Sequence, residues 1–102
     1  MALINISAVR KKTITTLMKT TPPGGVALFS YKRNRSVALI RQDEEIFLIK
    51  EHGYIVQEVV SRTDGLSRLL KEMIKREFPR SRKVRLVKFK DPAELENPRR
   101  KI

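Results

Sequence analysis

Residues 64–78 read DGLSRLLKEMIKREF, and this stretch decides what the rest of the chain has to provide. Leu66, Leu69, Leu70, Met73, Ile74 and Phe78 fall at i, i+3, i+4, i+7, i+8 and i+12, the spacing of a wide apolar stripe on one side of an α-helix. Ser61, Thr63 and Asp64 can each cap its start. Pro79 ends it, because a residue preceding proline is pushed out of the helical region. The opposite side carries Arg68, Lys71, Glu72, Lys75 and Arg76. Glu72 is spaced to pair with Lys75 or Arg76, which adds roughly 0.2–0.5 kcal/mol per pair. A stripe this apolar must be buried, and a lone helix can bury it only on a sheet.

Working outward, the chain supplies that sheet. Val26–Lys32 (VALFSYK) and Val37–Arg41 (VALIR) flank Arg33-Asn34-Arg35-Ser36, which reads as a hairpin tip. Gln42-Asp43-Glu44 makes a second turn before Glu45–Glu51 (EIFLIKE). His52-Gly53 makes a third before Tyr54–Ser61 (YIVQEVVS). Four strands so closely spaced form an antiparallel meander. Beyond the helix, Lys83–Phe89 (KVRLVKF) is a final strand, stopped by Asp91-Pro92. The expected fold class is therefore α+β: a meander of about four strands, one amphipathic helix packed on it, and a last strand.

The first 20 residues admit two readings. Ala2–Ile6 suits a strand and Ser7–Lys19 a helix, but Thr13, Ile14, Thr15 and Thr16 favour extended backbone. The helical stripe of Ile6, Val9, Thr13 and Leu17 is thin. Thr20-Thr21-Pro22-Pro23-Gly24-Gly25 is a loop. Residues 1–102 are expected to make one small domain, with 91–102 as a C-terminal tail.

Charge says more about partners than about fold. The net charge is +12, and it is segregated. No acid precedes Asp43, while residues 42–67 are net acidic. Residues 68–90 then carry ten Lys/Arg against only Glu72 and Glu77. The charged fraction of 33% exceeds the usual ~25%, and the apolar periodicity requires a folded body beneath it. Such an excess points to polyanions, most simply nucleic acid, DNA or RNA. Cysteine is absent, which removes disulfides and thiolate metal sites and fits a cytoplasmic protein. No apolar run reaches the ~18–20 residues of a membrane span, so no membrane partner is expected.

Phosphate contact needs positive charge on a connected surface. The candidate set is Arg68, Lys71, Lys75 and Arg76 on the helix, Arg80, Arg82 and Lys83 in the connector, and Arg85 on the last strand. The hairpin tip adds Lys32, Arg33 and Arg35, with Tyr31 placed to stack a base. Arg10-Lys11-Lys12 is a third basic group, expected as an arm. No RRM aromatic pattern, KH-type GXXG or zinc-finger spacing is present, so contact is expected through the backbone with low sequence specificity.

Catalysis is not expected. His52 is the only histidine and occupies a turn. No nucleophile lies in a recognisable motif, and Pro23-Gly24-Gly25 lacks the Lys-Ser/Thr of a phosphate loop. Asp43-Glu44-Glu45 is more simply a solvated turn than a cation site, and no cofactor is expected. The alternative function is a small homo-oligomeric interaction module, with the acidic middle meeting a basic patch of another copy or free strand edges pairing.

Overall fold

The computed structural model describes residues 2–30, 35–79 and 81–91. These form β1 (Ala2–Asn5), α1 (Ile6–Met18), β2 (Gly25–Phe29), β3 (Ser36–Arg41), β4 (Ile46–His52), β5 (Val56–Arg62), α2 (Thr63–Glu77) and β6 (Lys83–Phe89). All six strands join one antiparallel sheet in the order β1-β6-β2-β3-β4-β5. The α+β class and the β2–β5 meander follow the expectation. The architecture is larger than expected, with two helices instead of one. The final strand does not extend the meander's far end but inserts between β1 and β2.

The first 20 residues use both readings in succession, a strand and then a helix. Asn5 is the junction: its backbone is extended and its carboxamide oxygen accepts the Ser7 N–H at 3.2 Å. Thin as the stripe is, Val9, Thr13 and Leu17 are fully buried against the sheet and α2. Tertiary burial outweighs the extended preference of the threonines. Arg41 closes the other end. Its guanidinium donates to the Met18 and Thr20 carbonyls at 2.9 and 3.0 Å, satisfying acceptors that the end of a helix leaves open. It also donates to the Glu44 carbonyl and lies 5.7 Å from the centre of the Phe47 ring.

Several boundaries differ from the sequence reading for local reasons. At α2 the cap position is Arg62, which makes no side-chain cap bond, and Asp64 lies in the first turn instead. Strand β4 starts at Ile46, because Asp43 folds its carboxylate onto the Glu45 and Ile46 N–H groups at 2.8 and 2.9 Å. Strand β5 starts at Val56, not Tyr54. The Tyr54 and Ile55 N–H groups donate to the buried Glu77 carboxylate at 2.8 and 3.2 Å, which holds residues 53–55 as a turn. Gly53 is required there, since a Cβ would collide with the Glu77 Oε1.

The sheet has two unlike faces. Val26, Leu28, Val37, Leu39, Phe47, Ile49, Val84 and Leu86 point to the helices and form the main core with Leu66, Leu70, Met73, Ile74 and Phe78. The other face carries a smaller apolar cluster of Ala27, Ala38, Ile40 and Phe89, with Phe29 and Leu48 beside it. No described helix covers that second face. The ring of Phe89 lies against its register partner Gly25, where a Cβ would meet both the ring and the Leu39 carbonyl.

Candidate nucleic-acid interface

The stretch 68–85 is continuous in sequence but not in space. Arg68, Lys71 and Lys75 are exposed on the outer side of α2, away from the sheet. Lys83 and Arg85 lie on β6 in phase with Phe29 and opposite in phase to Val84 and Leu86, so they belong to the uncovered face of the sheet. Arg85 is half-buried there, level with Leu3 on one side and Phe29 on the other. Exposed Arg82 precedes the strand, and its carbonyl accepts the Ile6 N–H at 2.7 Å. The sheet therefore separates the helix charges from the strand charges. Period 2 decides this: Lys83 and Arg85 had to alternate with the core residues Val84 and Leu86.

Arg76 does not contribute to the exposed set. Its Nε and Nη2 donate to the two oxygens of Glu51, both at 2.7 Å, in a bidentate pair. The Glu51 side chain has no exposed surface and also accepts from the Gln57 amide at 2.8 Å. The Arg76 hydrogen bond holds the Glu51 carboxyl down at about 2, against burial, which pushes the other way. Glu51 in turn raises Arg76. Glu72, expected as a partner of Arg76, is left on the outer helix face. The signal for this pair was present in the sequence: Glu51 continues the phase of Phe47 and Ile49 on β4, and a carboxylate in a core phase needs a cation.

The tip residues Tyr31, Lys32 and Arg33, together with Arg80, lie outside the described residues. Arg35 is half-buried, and its Nη1 reaches the Glu77 carbonyl at 3.4 Å.

The fold brings together a group that sequence order keeps apart. Helices α1 and α2 pack side by side in one layer on the same face of the sheet. Arg10, Lys11 and Lys12, expected as an arm, are exposed on α1, with Lys19 at its end. With Arg68, Lys71 and Lys75 they place seven cations on the helical layer, against Asp64 and Glu72 on α2. The other acids of the described residues lie elsewhere. Asp43, Glu44 and Glu45 occupy the β3–β4 turn, Glu58 the uncovered face, Glu51 and Glu77 the interior, and Asp91 follows the end of β6.

Among the described residues, no three His, Asp or Glu side chains are grouped so as to hold a metal ion. No helix among them is long and apolar enough to cross a membrane. Compared with known proteins, the chain matches no family model, no curated protein and no solved structure.

Proposed function

We propose that this chain is a cytoplasmic nucleic-acid-binding protein that engages the phosphate backbone through the outer surface of its two helices. The observation that supports this reading is the pairing of Arg10, Lys11, Lys12 and Lys19 on α1 with Arg68, Lys71 and Lys75 on α2 in one layer. Exposed lysines and arginines concentrated on one surface neutralise several phosphates at once and release their counterions. The surface offers no aromatic or amide group to read a base, so binding is expected to depend little on sequence. Lys83 and Arg85 on the opposite side of the sheet cannot engage the same duplex at the same time as the helices.

The test compares two charge reversals for binding to generic DNA and RNA at low salt, read by fluorescence anisotropy. Lys11→Glu/Lys12→Glu/Lys71→Glu/Lys75→Glu is expected to abolish binding to any nucleic acid that the parent protein binds. Lys83→Glu is expected to leave it nearly unchanged. Equal affinity of the quadruple variant and the parent, with the fold intact, overturns the proposal.

A further inference from the structure

Strand β5 is an edge of the sheet, and no described strand takes up its outer N–H and C=O groups. It is seven residues long, and its register with β4 has no bulge. It contains neither proline nor lysine, the usual guards against pairing with another chain. The opposite edge, β1, has only four residues. On the uncovered face β5 presents Val56, Glu58, Val60 and Arg62, and the two valines are 71% and 63% exposed. Exposed β-branched side chains on a long free edge are what a sheet continuing into a second chain would cover.

The segment Glu58-Val59-Val60-Ser61-Arg62 is complementary to itself. In an antiparallel ladder with a twofold axis through Val60, Glu58 of one copy stands directly opposite Arg62 of the other, and the reverse pair follows by symmetry. Val60 then meets Val60, and Val59 meets Ser61. Opposite charges across a ladder are favourable and like charges are not. Neighbouring registers lose this match. An axis through Val59 sets Glu58 against Val60 and Arg62 against Val56, while axes through Glu58 or Arg62 set like charges face to face. Within its own copy Glu58 is opposite Lys50, so the dimer places it between two cations. Among the described residues Arg62 pairs with Glu45, at 3.4 Å with both side chains 69% exposed, and a pair so solvated is readily exchanged.

We infer that the chain forms a twofold dimer by antiparallel pairing of β5 with β5 of a second copy, in the register centred on Val60. The axis is normal to the sheet, so one sheet runs through both copies and both helical layers lie on the same side. The inference goes beyond the nucleic-acid reading and does not rest on it, because it predicts association of protein freed of nucleic acid.

Sedimentation of nuclease-treated protein over a concentration series into the high micromolar range tests it. The parent is expected to dimerise. Val60→Lys and Arg62→Glu are each expected to weaken association at least tenfold, with unchanged circular dichroism, and Glu58→Arg combined with Arg62→Glu to recover it. Because the chain has no cysteine, Val60→Cys reports on this contact alone, and a short bis-maleimide is expected to link it in high yield but Val56→Cys poorly. A parent that stays monomeric throughout overturns the inference. So does a dimer indifferent to Val60→Lys and to the charge exchange, or one that links at residue 56 in preference to 60.

Discussion

Two buried side chains make opposite predictions about stability. Glu51 and Arg76 are matched at both carboxylate oxygens, and the carboxyl is held near 2 in the fold against an ordinary 4.5. A depressed pKa means that the unfolded chain binds the proton more readily. The stability from this pair is therefore fully present above about pH 4.5 and drains away as pH falls toward 2. Arg76→Gln strands the carboxylate in the interior and is expected to cost roughly 3–5 kcal/mol at neutral pH. Urea titrations at pH 7, 4 and 3 check both points: the variant should be much weaker at pH 7 and lose less than the parent on acidification. Thr13 is the converse case. It is fully buried and its hydroxyl has no hydrogen-bond partner among the described residues. Thr13→Val keeps the shape and removes the unpaired group, so a gain of about 1 kcal/mol is expected. In a domain of this size that is a rise of ~4–8 °C in melting temperature. A fall would show that the hydroxyl is satisfied in solution.

Between elements, Arg41 is the tie that the sequence conceals. It reads as the last residue of a strand, yet its guanidinium fastens the end of α1 to the β3–β4 turn and lies against Phe47. Arg41→Ala is expected to destabilise by roughly 1–3 kcal/mol, the cost of leaving hydrogen-bonding groups unpaired, and to speed amide exchange in the last turn of α1. Arg41→Lys should recover little, because one ammonium cannot span the same carbonyls. What was legible follows the same division. The stripe from Leu66 to Phe78 and the short apolar stretches set between polar turns in β2–β5 are local patterns, and they identify α2 and the meander directly. The stripe of α1 is thin and its threonines point the other way, so only its neighbours in space make it a helix. Nothing local tells that β6 returns to the middle of the sheet. The basic stretch 68–85 divides across the two sides of the molecule because Lys83 and Arg85 alternate with the core residues Val84 and Leu86. The tie between Arg76 and Glu51 crosses from helix to sheet and is invisible to helical spacing, which offered Glu72 instead.

At the scale of the whole molecule, the charge is arranged by layer and not by segment. The helical layer gathers exposed cations from both basic parts of the chain, and the uncovered face of the sheet carries an apolar cluster with Lys83 and Arg85 on β6 beside it. If the helices carry the contact, the logarithm of affinity falls linearly with the logarithm of salt concentration, and the slope counts the phosphates neutralised. Each Lys→Ala on the outer side of α1 or α2 should then lower that slope by about one, with similar losses on unrelated sequences. Lys83→Ala should leave the slope as it is. Titrations at several salt concentrations separate these outcomes. A slope shifted by Lys83 and not by Lys71 would move the contact to the other side of the sheet.

The place of β6 has one further consequence, in time instead of space. Among the described strands β1 pairs with β6 alone, so Ala2 waits for Leu86 before it can be paired. As the chain leaves the ribosome, the meander can assemble from adjacent hairpins and α1 can meet α2 and β2, whereas β1 must wait until residues 83–89 emerge. Contacts so distant in sequence form slowly. Synthesis stopped before Lys83 would leave the start of the chain as unpaired as the end, and the two are completed in a single late step.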